Sequence, residues 1–358
     1  MKKEKLQIAL AGGIIGIIAS ILVLLGNPVN MGFCIACFLR DTAGALQLHK
    51  AAVVQYVRPE IIGLVLGSFI LALVRKEFKP RGGSAPLTRF VIAFFVMIGC
   101  LMFLGCPFRT VLRLAGGDLN ALLGLAGFVA GILCGIVFLK KGYSLKRFYK
   151  QNCAEGAIFP IGWVALLAVV LLYPAVLLFS EKGPGSMHAP LLISLAAGLI
   201  VGALSQKTRM CMVGGIRDAV LFKEWKLLIG YVSVFAGALV MNLLLTALVP
   251  DKSFIKLGFE GQAVAHTDGL WNFLGMLLAG LGSVLLGGCP LRQLVLAGEG
   301  NSDSAITVLG LMVGAAFAHN HGLASSGAGA TPLGKYAVIG GIIVVCVIAA
   351  AHTFRKGE

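Results

Sequence analysis

The stretch GFCIACFLRD, residues 32–41, is answered later in the chain by RMCMVGGIRD, residues 209–218. Cysteine, arginine and aspartate stand at the same offsets in both: Cys34, Arg40 and Asp41 in the first, Cys211, Arg217 and Asp218 in the second. A second pair follows in the same order, GCPFR at 105–109 and GCPLR at 288–292, and each copy runs on into Leu-Ala-Gly (114–116 and 296–298). Cys211 lies 177 residues after Cys34, and Cys289 lies 183 after Cys106, in a chain of 358 residues. Two ordered matches at nearly half the chain length point to an internal duplication.

The surroundings of these motifs are apolar. Hydrophobic residues make up 58% of the chain and charged residues only 13%, about half the charged share of a soluble domain. Mean hydropathy is +0.93. Apolar stretches at about 6–26, 59–75, 88–105, 119–139, 158–179, 189–205, 227–249, 270–288, 304–320 and 335–353 are each long enough to cross a bilayer. The first is read as a span and not as a signal peptide. This composition excludes a soluble enzyme, a nucleic-acid-binding module and a secreted disulfide scaffold. The net charge of +15 is read as topology-setting loop charge, and secondly as a preference for anions.

With the amino terminus inside, ten spans place 21 of the 30 Lys and Arg residues on the cytoplasmic side, the tail residues Arg355 and Lys356 among them. Both termini are therefore expected in the cytoplasm. A first half, residues 1–157 with a five-span unit running to about 180, and a second half, residues 158–358, each carry one copy of both motifs. An odd number of spans per half inserts the halves with opposite polarity. The expected fold is an all-α polytopic membrane protein, with about ten spans plus short re-entrant or broken helices, arranged as two inverted five-span repeats in a single membrane domain. Cys34 and Cys106 would then enter from outside, Cys211 and Cys289 from inside.

Pro107 and Pro290 lack an N–H and suit the first turn of a helix, so Cys106 and Cys289 are expected at breaks where a short helix starts. Such an end presents unpaired N–H groups and a partial positive charge, which favour an anion. Polar backbone at membrane depth must be buried in protein or line a cavity. Cys34, Cys106, Cys211 and Cys289, with Cys37 at the first mouth, are read as pathway residues: neutral thiols offering weak S–H donors, since a thiolate would repel an anion. No acidic residue lies well inside a span. Arg40, Arg109, Arg217 and Arg292 recur three to six residues beyond the cysteines and are read as drawing the anion to each mouth, against the alternative of snorkelling arginines that only fix topology. Asp41 and Asp218 are expected to neutralise the adjacent arginine or cap a helix. Cys34 and Cys37 form a CxxC, which in a soluble protein would suggest redox or metal chemistry; the second copy has Gly214 in place of the second cysteine. No catalytic residue, metal or cofactor is assigned. Cys100, Cys134 and Cys346 read as packing residues, and His319 and His321 as interfacial.

These motifs and their spacing resemble the YeeE/YedE family of bacterial inner-membrane proteins over essentially the whole chain. The resemblance implies cysteines lining a central path between short broken helices that form an hourglass, and uptake of thiosulfate or a related solute. NPVNMGFCIACFLRDTAGALQLH, residues 27–49, resembles more specifically the branch tied to selenium metabolism, which implies import of a selenium compound. Cys37 departs from a single-cysteine entrance and sets this chain apart from a plain thiosulfate importer. The expectation is a multi-pass transporter of the bacterial inner membrane, not an enzyme, importing a small sulfur or selenium oxyanion. Its partners would be that solute, the lipid bilayer and a cytoplasmic sulfur or selenium carrier protein, with no nucleic acid. Two alternatives stand beside it: a membrane thiol redox protein using the CxxC, and a scaffold for selenium or sulfur metabolism without transport.

Overall fold

The computed structural model describes residues 2–249 and 252–354. Arg355 and Lys356, placed on the cytoplasmic side by the charge pattern, lie outside the described residues.

Apolar runs become long helices wherever no breaker interrupts them, because inside a bilayer only a helix satisfies its own backbone. In chain order, the long helices are α1 (Lys2–Leu24), α3 (Pro59–Val74), α4 (Pro86–Phe103), α6 (Asn120–Lys140), α7 (Cys153–Leu172), α8 (Leu191–Thr208), α10 (Lys226–Leu248), α11 (Gly269–Leu285), α13 (Ser302–Asn320) and α14 (Pro332–Phe354). Each coincides with an apolar stretch read from the sequence. Nine helical stretches among the described residues are long and apolar enough to cross a membrane; α3, at 16 residues, is shorter. The chain is an all-α, multi-pass membrane protein. The largest boundary shift is at α7. Asn152 caps its start by accepting the Ala154 N–H at 3.3 Å, Pro160 is accommodated inside, and a single 3-10 turn at Pro174–Val176 follows its end. Residues 157 and 158, where the sequence divides the halves, therefore fall within α7.

Four short helices complete the set: α2 (Ile35–Ala45), α5 (Pro107–Ala115), α9 (Met212–Phe222) and α12 (Pro290–Gly298). The order long, short, long, long, short, long, long thus occurs twice, over α1–α7 and α8–α14. Packing follows the same correspondence. α1 lies along α10 as α8 lies along α3, α6 along α11 as α13 along α4, and α4 meets α11 at the centre.

Glycines set how close these pairs come. Gly63 and Gly67 on α3 face Gly198 and Gly202 on α8, and a Cβ at any of the four would collide with backbone of the other helix. Helix pairs in membranes associate through such small residues because lipid supplies no hydrophobic drive between helices. Gly12 and Gly16 do the same for α1 on α10, Gly127 and Gly131 for α6 on α11.

The connecting segments gather at two ends. At one, the two-residue strands β1 (Arg81–Gly82) and β2 (Tyr149–Lys150) pair antiparallel, Arg81 bridges to Asn301, and Asp303 accepts the N–H groups of Gly83 and Ser84. At the other, Asp118 bridges to Gly258, Asn320 donates to the Leu48 carbonyl, and the Ser180 N–H donates to Gln55. The alternation of ten spans groups the same loops in this way. Lipid-facing surface is apolar: α7 buries only Gly156, Pro160 and Trp163 and exposes Ile158, Val164 and Leu171.

Replacing Gly67 by Leu is expected to force α3 from α8 and lower stability by about 1–3 kcal/mol or more, read as a lower unfolding temperature in detergent. Gly13→Ala, whose added methyl would meet nothing within 4 Å, should leave it unchanged.

Candidate functional site

Each short helix begins at a cysteine. Cys34, Cys106, Cys211 and Cys289 are the N-cap residues of α2, α5, α9 and α12. The breaks before three of them are made by left-handed residues two positions upstream: Leu104 (φ 60°), Arg209 (φ 54°) and Gly287 (φ 81°). A leucine in that region is strained by about 1 kcal/mol or more, and its neighbours hold it there. The Leu104 carbonyl accepts from the Arg109 guanidinium and faces the Cys37 thiol at 3.8 Å.

Two cap chemistries alternate. The Cys34 sulfur accepts the Cys37 N–H at 3.3 Å, and the Cys211 sulfur accepts the Gly214 N–H at 3.3 Å. At α5 and α12 proline occupies the first turn and leaves one fewer N–H to satisfy.

The sulfurs fall into two buried sets. In the first, Cys34 Sγ lies 2.8 Å from Cys37 Sγ and 3.9 Å from Cys106 Sγ, all three being free thiols. In the second, Cys211 and Cys289 are neighbours, and the Tyr231 hydroxyl lies 4.0 Å from Cys289 Sγ. None of the five is more than 5% exposed. Aromatic rings join the sets: Phe108 stands 6.5 Å from Phe33 on one side and 6.3 Å from Tyr231 on the other, centroid to centroid. Phe108 and Tyr231 thus connect the two sets through ring contacts.

The arginines are used differently at the two sets. Arg40 donates to Asp41 at 2.6 Å, and Asp41 also accepts from Arg58 at 2.8 Å, all three being buried. Arg58 further donates to the Pro184 and Met187 carbonyls and lies over the Phe38 and Tyr56 rings. Arg109 is buried and donates to the carbonyls of Asn30, Leu104, Ala263 and Val264. Arg217 pairs with Asp218 at 2.8 Å and Arg292 with Glu299 at 3.1 Å, and both remain partly exposed. Asp41 and Asp218 therefore neutralise their adjacent arginines.

Several residues at the site carry no sequence motif. Tyr231 is a lone tyrosine in an apolar run. Arg113 pairs with Asp118 at 2.6 Å and stacks over Phe103. Glu60, second residue of α3, is wholly buried, its Oε1 accepting from Asn27 at 2.9 Å and Ser194 at 3.1 Å. A count of charges per span could have flagged Glu60; nothing short of the fold could have flagged Tyr231. Of the other cysteines, Cys100 is buried, Cys346 half-buried, and Cys134 and Cys153 exposed. His319 stacks on His49 at 4.7 Å at one end of the bundle.

What the fold defines is a multi-pass helical membrane protein with two buried clusters of thiols at helix starts. The second half is also similar to a known family: residues 207–349 match the family model described as Sulphur transport. The match covers Cys211, Arg217, Tyr231, Cys289 and Arg292.

Asp41→Asn should leave two buried guanidinium groups competing for a neutral partner and destabilise the protein by about 3–5 kcal/mol. Asp218→Asn, on a partly exposed pair, should shift stability by less than about 1 kcal/mol. Thermal unfolding in detergent compares them, and equal losses would contradict the difference in burial.

Proposed function

We propose that the protein imports a small sulfur- or selenium-containing anion across the bacterial inner membrane along the line of five thiols. The observation that carries this reading is the pairing of four helix starts at buried cysteines, Cys34 with Cys106 and Cys211 with Cys289, in a chain whose second half resembles a sulphur-transport family. Each helix start contributes roughly half a positive charge to the space around its cysteine. A desolvated anion is stabilised there without a fixed cation that would hold it too tightly. The neutral thiols add weak S–H donors, and weak sites in series let an ion enter and leave.

The two halves are inverted repeats, with α2 and α5 entering from outside and α9 and α12 from the cytoplasm. The repeated element order and the exchange-symmetric packing support this. Phe108 and Tyr231 form the barrier between the sets and swing aside when an anion passes. Flux runs down the gradient, drawn by reduction or transfer of the anion to a cytoplasmic carrier protein. The selenium preference rests on residues 27–49 and on Cys37, which gives the entrance a third thiol.

The test is uptake of radiolabelled thiosulfate and selenite into proteoliposomes. Cys106→Ser and Cys289→Ser are each expected to reduce it about tenfold or more, the weight of a single contact of ~1–2 kcal/mol, with unfolding temperature unchanged. Wild-type uptake in both variants would defeat the reading.

The 2.8 Å approach of Cys34 and Cys37 favours a second reading, a membrane thiol redox protein. It requires a disulfide that forms and is reduced in the working cycle. Thiol trapping after incubation with oxidised and reduced quinone separates the two. The transport reading expects both thiols to stay free under each condition.

A further inference from the structure

The end of the bundle at which α9 and α12 begin holds a polar cavity of about 190 Å³ lined by Glu77, Lys79, Arg81, Arg209, Arg292 and Glu299. The lining comes from three separate parts of the chain. The segment between α3 and α4 supplies the first three residues, the break between α8 and α9 supplies Arg209, and α12 with its C-cap supplies the last two. The position is tied to the thiols by sequence: Arg209 precedes Cys211 by two residues and Arg292 follows Cys289 by three.

Its charges do not balance. Four cations face two carboxylates. Arg292 is paired with Glu299 at 3.1 Å. Glu77 makes its hydrogen bonds outside the cavity's own cations, accepting from Arg75 at 3.0 Å and from Gln206 at 2.7 Å, and feels Arg209 only through space. Those two hydrogen bonds, Arg75's first, hold Glu77 below the usual carboxylate range. Among the described residues no carboxylate lies within ion-pair distance of Lys79, Arg81 or Arg209. The walls are held by backbone: the Lys79 N–H donates to the Glu299 carbonyl and the Arg81 N–H to Gly300. Arg209 sits at a left-handed helix end (φ 54°), where glycine or asparagine is the usual choice.

We propose that this cavity is a binding site for a small oxyanion carrying two negative charges, held by Lys79, Arg81 and Arg209, with Arg292 exchanging Glu299 for the anion. It extends the transport reading, on which it rests, by giving the path a charged release site next to Cys211 and Cys289. The planar forks of Arg81 and Arg209 match oxyanion geometry in a way that a lone ammonium does not.

Equilibrium binding of radiolabelled thiosulfate to the detergent-purified full chain tests it, with sulfate as competitor. Wild type should bind, less tightly as salt rises. Arg81→Gln and Arg209→Gln should each weaken binding about fivefold or more, and Arg209→Lys should restore part of it. Lys141→Gln, at the exposed end of α6 and outside the cavity, should bind as wild type does. The proposal falls if both glutamine variants bind normally, or if Lys141→Gln loses as much as Arg209→Gln, which would make the binding a matter of net charge alone. It also falls if wild type binds no thiosulfate but is stabilised by cardiolipin nanodiscs through the same arginines, which would make the ligand a lipid headgroup. Arginine-dependent binding in a protein whose proteoliposomes take up nothing would retain this site while the transport reading fails.

Discussion

A helix that breaks at bilayer depth leaves N–H groups that neither lipid nor bulk water can satisfy, at several kcal/mol for each one left bare. This chain breaks four times, and the rest of the structure depends on how those starts are covered. At α2 and α9 a cysteine sulfur reaches forward to the third N–H of the helix. At α5 and α12 proline removes one donor altogether. Sulfur is a weak acceptor, so neither device fills the space at the helix start with an aspartate or serine oxygen. What remains is a partial positive charge at each helix start, which on the transport reading is what an anion would meet.

Buried charge divides the bundle unevenly. Around Cys34, Cys37 and Cys106 the ions are locked: Arg40, Arg58 and Asp41 form a dry triad, Arg113 and Asp118 a dry pair, and Arg109 is saturated by four carbonyls. Pairs of this kind add little net stability but are expensive to break, so they fix geometry. Around Cys211 and Cys289 the corresponding Arg217 and Arg292 pair with carboxylates while remaining partly exposed. Solvated pairs exchange partners readily. On the transport reading, movement that opens a path past Phe108 and Tyr231 is better accommodated at the α9 and α12 end.

The ten long helices were legible because apolar length is a one-dimensional property, and the positions of Cys106 and Cys289 at helix starts were legible because Pro107 and Pro290 mark a first turn; no such mark follows Cys34 or Cys211. The α7 boundary was not, since hydropathy cannot see that Asn152 caps the helix and that a flanking 3-10 turn absorbs residues 174–176. Arginine recurrence singled out Arg40, Arg109, Arg217 and Arg292 without revealing their partners. That Arg109 would be consumed by carbonyls from residues 30 to 264 depends on tertiary contacts. The approach of Cys34 to Cys106, 72 residues apart, is likewise a product of helix docking. Tyr231 and Glu60 escaped notice because a single polar residue in an apolar run carries no periodic signal.

The asymmetry between the two sets of thiols follows from the same division. On the transport reading, an anion that reaches the first set meets guanidinium groups whose donors are already engaged, two on Asp41 and Arg109 on carbonyls, so their charge acts at a distance while helix dipoles and S–H groups make the direct contacts. A third thiol, Cys37, stands where the other set has Gly214, and supplies the extra donor at that end. At the second set two thiols are followed by a cavity with an excess of cations, so charge takes over where sulfur is fewer. On that reading, two ends of different chemistry keep the anion from settling at either one, and sensitivity to salt belongs to the end with the cation-rich cavity.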